Sequence, residues 1–274
     1  MKQQTVAPPS YGARAPVGEP CDWSEAGYKP TFYELPSFSA QRPVWADPLV
    51  VSKTELDERG TYVKMQLVPL GQSGYVYDEA SNAYLNPRGK TGITGRGMLG
   101  KYGPNHAADV IVTRHHNGKY QALLVEKKLH GGTTAFAWPA GMVEAGESVP
   151  LTLRRELTEE AVADGDVVER LFSTCRKGVV YAGHVDDWRN TDVAWMETNA
   201  VHYHATQEIG DQLELKVNDT DEIKKSMWVD MDSVTEMYAS HMDWLRIVRT
   251  TVKSNFFISH VHWSSSEPFV SHDK

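Results

Sequence analysis

The sequence predicts an α/β or α+β domain preceded by a small loop-rich subdomain. Three observations carry this reading. Two β-rich runs, Asp109–Arg114 and Lys119–Glu126, are separated by His115-His116-Asn117-Gly118, and Asn-Gly is the strongest short hairpin signal. An amphipathic segment over Val149–Val162 reads as a helix, and a second begins near Ser240. Further strand-like runs lie between the two helices.

In chain order, residues 1–28 are Pro-rich and lack the apolar core of a secretory signal, so they read as a flexible leader. Residues 29–100 are rich in Pro, Gly, Tyr and Asp. They form the loop-rich N-terminal cap subdomain, with short strands expected at Trp45–Val51 and Tyr62–Val68. Gly95-Arg96-Gly97-Met98-Leu99-Gly100 matches G-x-G-x-x-G, but a dinucleotide fold needs a helix directly after it. Gly103-Pro104 comes next instead, so this stretch reads as a turn-rich linker. Residues 101–258 form the main domain. There His115-His116 reads as part of a turn rather than a metal pair. Ala135–Trp138 is a short apolar run stopped by Pro139 and Gly141. The helix at Val149 has Ser148 as N-cap, Pro150 in its first turn and Gly165 as its stop. Strands are expected at Gly178–Val185, Val193–His204 and Met227–Val229. In the last helix Ser240 and Asp243 have capping-box spacing, and Met242, Leu245, Val248 and Val252 form the apolar stripe. Residues 259–274 read as a tail.

Composition narrows the function. A net charge of −8 argues against bulk nucleic-acid or anionic-membrane binding. No run approaches the 18 apolar residues or so of a membrane span. Two cysteines, Cys21 and Cys175, make no disulfide framework and fit a reducing compartment. The expected location is the cytoplasm, with the mitochondrion as the alternative, and the expected state is a monomer.

The centre of the sequence is AGMVEAGESVPLTLRRELTEEAV, Ala140–Val162. With Leu153 at the origin of a helical wheel, Leu157 and Ala161 complete the core stripe, while Glu159, Glu156 and Glu160 share an arc of about 100° beside it. Glu156 and Glu160 are like charges at i,i+4, and Glu159 and Glu160 approach the helix C-terminus, where the macrodipole disfavours anions. Two local rules broken together mark a functional site. A carboxylate cluster of this kind suits a hard divalent cation, Mg²⁺ or Mn²⁺.

The same segment resembles the Nudix box, GX₅EX₇REUXEEXGU with U aliphatic. Gly141, Glu147, Arg155, Glu156, Leu157, Glu159 and Glu160 are in register, a chance match on the order of one in 10⁵ by composition. The sequence departs at the end of the box, where Val162 and Ala163 replace the final Gly and aliphatic. The resemblance implies a Nudix α/β/α sandwich around a mixed sheet. It implies catalysis by Glu156, Glu159 and Glu160, which would hold the metal, and a bracing pair of Glu147 and Arg155. The implied reaction is attack of water on a nucleoside diphosphate linked to a second moiety.

Gly89–Asp109, Tyr181–Thr198 and Met237–His241 extend the likeness, as do Tyr28–Pro30 and Trp45–Pro48. These segments resemble the Nudix ADP-ribose pyrophosphatases of animal mitochondria and the homologous domain of ADP-ribose-gated melastatin TRP channels. The vertebrate channel domain has lost the REUXEE acids, whereas Arg155–Glu160 is intact here. By motif position the resemblance puts ADP-ribose contacts on Asn105, Asp187, Arg189, Tyr238 and His241. It implies an enzyme yielding AMP and ribose 5-phosphate. An ADP-ribose sensor, or a Nudix hydrolase of another nucleotide sugar, is the alternative. Glu197 is a candidate base.

Overall fold

The computed structural model describes residues 23–254, apart from 25, 42, 59–74, 130–131, 145 and 217–219. Most of the leader, Cys21, the strand expected at Tyr62–Val68 and the tail lie outside the described residues. The chain divides into two compact units. One comprises residues to His106 together with Ala182–Thr198, and the other comprises Ala107–Tyr181 and the chain from Asn199 onward. The boundary near 100 read from the sequence leaves residues 101–258 as one block, so the membership of 182–198 in the first unit is new.

In the first unit, β1 (Thr31–Glu34) precedes a short helix α1 (Pro36–Gln41), and β2 (Tyr77–Asp78) forms a hairpin with β3 (Ala83–Tyr84). β1 runs parallel to β4 (Ile93–Gly97). The strand expected at Trp45–Val51 is absent, and turns occupy it. Pro48, inside this span, removes a ladder donor. The N–H groups of Ala46 and Asp47 turn instead to Pro43 O and Gly100 O. The glycines of the G-x-G-x-x-G run have packing reasons. A Cβ at Gly95 would strike the Tyr33 carbonyl, and one at Gly100 would strike the Trp45 ring. Arg96 is buried in a two-bond pair with Glu34, at 2.7 and 2.6 Å.

The second unit holds most of the large sheet. Its order is β11 (Ile223–Asp230), β6 (Lys119–Lys128), β5 (Gly103–His116), β10 (Ala194–His204) and β9 (Arg176–His184). β7 (Thr134–Ala137) pairs with β6, and β8 (Ala140–Met142) with β5. β5 and β10 run parallel, because Gly103 N–H donates to Val193 O at one end and Ala205 N–H to Thr113 O at the other. β6 is antiparallel to both of its path neighbours, so the sheet is mixed. The turn between β5 and β6 is Asn117-Gly118 alone, both at positive φ (49° and 75°). His115 and His116 end the strand instead of joining the turn.

Period-two alternation sends Val110, Val112, Leu123 and Val125 to one face of this sheet, and Ile111, Ala122 and Leu124 to the other. The first face packs under α2 (Val149–Glu160), α3 (Gly165–Thr174) and α4 (Gln207–Gln212). The second packs under α5 (His241–Ser254) through Trp244, Leu245, Val248 and Val252. Helices on both faces make the expected α/β/α sandwich. Among the described residues no helix is long and apolar enough to cross a membrane.

Gly165 corrects an expectation. α2 ends at Glu160 with Ala161 as C-cap, and Gly165 opens α3 instead of stopping α2. The Asp164 carboxylate caps α3 by accepting from the N–H groups of Asp166 and Val167. Ser148 sits at the N-cap of α2 in extended conformation without a side-chain cap bond. The Asp243 carboxylate pairs with Arg246, three residues along α5.

Candidate functional site

α2 carries the chemistry-bearing acids because its buried stripe is not wholly apolar. Val149, Leu153 and Leu157 point into the core, and Glu156 is buried beside them at 6% exposure. A glycine stands at 141 because a Cβ there would overlap the Glu156 carboxylate. β8, which contains Gly141, therefore lies directly against that group. One residue earlier, Ala140 N–H donates to Glu160 Oε2 at 2.9 Å. Glu159, on the outer side, is exposed.

Arg155 organises the loop that precedes the helix. Its Nε and Nη2 donate to the two oxygens of Glu147 at 2.8 and 3.0 Å, and Nη2 also reaches Met142 O at 2.9 Å. Its Nη1 donates to Glu156 Oε1 at 2.6 Å and Glu159 Oε2 at 3.2 Å. Glu147 accepts further from Thr152 Oγ1 and Glu144 N–H. The expected bracing pair is thus present.

Electrostatics separate Glu147 from Glu156 and Glu160. The Arg155 hydrogen bonds hold the Glu147 carboxyl down at about 2, against the upward push of burial. Burial pushes Glu156 up against the pull of Arg155, and the neighbouring Glu159 adds to the rise. Burial pushes Glu160 up to about 7, with Lys127 and the Ala140 N–H opposing and Glu156 assisting. No basic residue lies in the last turn of α2 to offset this charge. Two desolvated carboxylates that repel each other form a donor set suited to a hard divalent cation. Among the described residues, however, no three His, Cys, Asp or Glu side chains converge as a ready cage. Arg155 draws Glu156 and Glu159 towards itself, so the expected metal set of Glu156, Glu159 and Glu160 is not preassembled.

The expected substrate residues divide between the units. Asn105, Asp187 and Arg189 belong to the first; Tyr238 and His241, with the acids, belong to the second. Asn105 is buried with its amide engaged at both ends. Oδ1 accepts from Lys101 N–H, and Nδ2 donates to Lys101 O and Gly103 O. Arg189 donates to both Asp187 oxygens at 2.8 Å, and its own N–H adds a third bond. Asp187 is nearly buried, while Arg189 keeps a third of its side chain exposed. Glu197 is buried, with the Tyr75 hydroxyl at 2.9 Å from both oxygens and Trp195 Nε1 at 2.8 Å.

Tyr238 is half-buried, and its N–H donates to Phe136 O. His241 is buried, at 7% exposure. Its Nδ1 accepts from Trp138 N–H at 3.0 Å, and its Nε2 lies 3.2 Å from Asp109 Oδ1. Sequence reasoning does not connect His241 to Trp138 or Asp109. No spacing signal could, since only the fold brings them together.

Comparison with known proteins identifies the family. Residues 104–247 match the NUDIX domain family, and residues 19–103 match the NUDT9-like N-terminal domain. The chain is 36% identical over 239 residues to a putative nudix hydrolase of Caenorhabditis elegans, covering 83% of this chain and 86% of that protein. It is 36% identical over 260 residues to the mitochondrial ADP-ribose pyrophosphatase of Rattus norvegicus, covering 85% and 71% respectively. It is 34% identical over 246 residues to a transient receptor potential cation channel subfamily M member-like 2 of Nematostella vectensis, covering 81% of this chain but 15% of the channel. The chain belongs to the Nudix family, with its Nudix domain at residues 104–247 behind an NUDT9-like N-terminal domain.

Proposed function

We propose that this Nudix chain hydrolyses ADP-ribose with water to AMP and ribose 5-phosphate, using Mg²⁺ or Mn²⁺ held by Glu156, Glu159 and Glu160. The observation that carries the reading is the pair of carboxylates set against β8, Glu156 buried and Glu160 half-buried, both pushed up by desolvation. When bound, the cation neutralises charge on the diphosphate and makes water a better nucleophile. Arg155 and Glu147 keep the loop and the helix in register for that event.

The ADP-ribose assignment is supported by the 36% identity to the rat enzyme over most of the chain and by the intact acids. In this reading the Asp187–Arg189 pair faces ribose hydroxyls and phosphate. Tyr238 offers a ring face to ribose or base. Asn105 contributes by holding the turn at Lys101–Gly103. The protein acts as a monomer. Its place is the cytoplasm, with the mitochondrion the alternative to which the rat relative's name points.

A second reading, sensing without turnover, is supported by the likeness to the channel over 81% of this chain. Steady-state kinetics on ADP-ribose, ADP-glucose, NAD⁺ and a diadenosine polyphosphate test the specificity. A site that hydrogen-bonds particular substrate groups rejects analogues lacking them by large factors. The expected result is a kcat/KM for ADP-ribose well above the rest. Similar values across the set overturn the ADP-ribose assignment and leave a broad Nudix hydrolase.

A further inference from the structure

His241 opens α5 with its ring buried and stacked on Trp244, centroids 4.9 Å apart and planes 23° apart. Because Nδ1 accepts the Trp138 N–H, the ring proton sits on Nε2 and is directed to Asp109 Oδ1. Both nitrogens are thus spent on neighbours within the second unit.

Those neighbours lead to the acid helix. Asp109 stands opposite Ala140 in the β5–β8 ladder. Trp138 is two residues before Ala140, and the Pro139 carbonyl between them accepts from Val110 N–H. The Trp138–Ala140 segment is therefore pinned from three sides: by His241 at Trp138, by Val110 at Pro139 and by the ladder at Ala140. The last of these residues donates the 2.9 Å hydrogen bond to Glu160 Oε2. Proline at 139 stiffens the path by fixing φ.

We propose that His241 is a positioning residue for Glu160: it fixes the backbone of Trp138–Ala140, and through the Ala140 N–H it sets where the Glu160 carboxylate points. The motif resemblance assigns His241 to substrate contact, and the geometry assigns it to the acid helix instead. The inference rests on the Nudix reading of α2 but not on ADP-ribose being the substrate.

The test is Mn²⁺ binding to the full chain by calorimetry without nucleotide, beside ADP-ribose binding in EDTA, for wild type, His241→Ala, His241→Asn and Asp109→Asn. Groups that orient metal ligands from outside typically change metal affinity by about 10- to 100-fold. The expected result is Mn²⁺ affinity down by about 10-fold or more in His241→Ala, with ADP-ribose affinity within about threefold of wild type. His241→Asn, whose amide oxygen can still accept the Trp138 N–H, should recover part of the loss. Asp109→Asn should lose Mn²⁺ affinity in the same direction, and it carries the test alone if His241→Ala does not fold. Unchanged Mn²⁺ affinity in His241→Ala and Asp109→Asn, or a loss of ADP-ribose affinity equal to or larger than the Mn²⁺ loss, overturns the proposal. So does a wild-type chain that binds no Mn²⁺. Failure of wild type to bind or hydrolyse ADP-ribose, with the Mn²⁺ pattern as expected, overturns the substrate assignment and leaves the role of His241 standing.

Discussion

Glu160 shows how one residue can be poor for the helix and good for the site. Its carboxyl is held near neutrality by burial and by Glu156, at a helix end that repels anions. Replacing Glu156 or Glu160 with Gln should lower kcat by about 100-fold or more, the scale of losing one preorganised electrostatic group. The same change relieves repulsion, so the melting temperature should not fall. Steady-state kinetics beside thermal denaturation check both halves. Gly141→Ala should act oppositely on the fold, costing about 1–3 kcal/mol because the new methyl overlaps the Glu156 carboxylate. Denaturant titration measures that cost. The Asp187–Arg189 pair makes a third case. Removing either partner leaves the other without its mate, so the double variant should be less damaged than the sum of the singles, with a coupling of about 0.5–3 kcal/mol in a double-mutant cycle on kcat/KM. The box acids and the Glu147–Arg155 brace are legible in the sequence because residue types at fixed spacing on one helix and its loop define them. His241 is not legible as a buried group, because its partners Trp138 and Asp109 are more than a hundred residues away.

The loop–helix unit from Met142 to Glu160 is braced by the Glu147–Arg155 ion pair, among other Arg155 bonds. The Glu147 carboxyl is held near 2, below its ordinary value of 4.5. A lowered carboxyl adds stability that is complete above its unfolded value and is lost as the pH falls through its folded value. Stability should therefore decline between roughly pH 5 and pH 2, and Glu147→Gln should flatten that decline. Denaturant melts across this range decide it. α3 is one of the elements that sequence reading misses. Asp164 and the Val167, Val168, Leu171 and Phe172 stripe signal it, but Gly165 also suits the end of the preceding helix. A glycine a few residues beyond a helix serves equally well as the first residue of the next, and only the cap at Asp164 distinguishes the two. Trp45–Val51 fails in the other direction. Its apolar residues suggest a strand, but Pro48 lacks a ladder donor and the N–H groups of Ala46 and Asp47 bond to Pro43 O and Gly100 O.

For the molecule as a whole, the strand–helix order and the Asn-Gly hairpin suffice for an α/β class, and the Nudix resemblance supplies the sandwich and the mixed sheet. The association of Ala182–Thr198 with the N-terminal unit is hidden, because the end of β9, the start of β10 and the turn joining them carry no local sign of which unit they join. The proposed function stands or falls on α2 acting on ADP-ribose. Wild type and Glu160→Gln are to be incubated with ADP-ribose and Mg²⁺ or Mn²⁺, and the products resolved by chromatography. Wild type should give equal amounts of AMP and ribose 5-phosphate, and Glu160→Gln almost none. Tight binding of ADP-ribose by wild type without product, or undiminished product from Glu160→Gln, would overturn the reading.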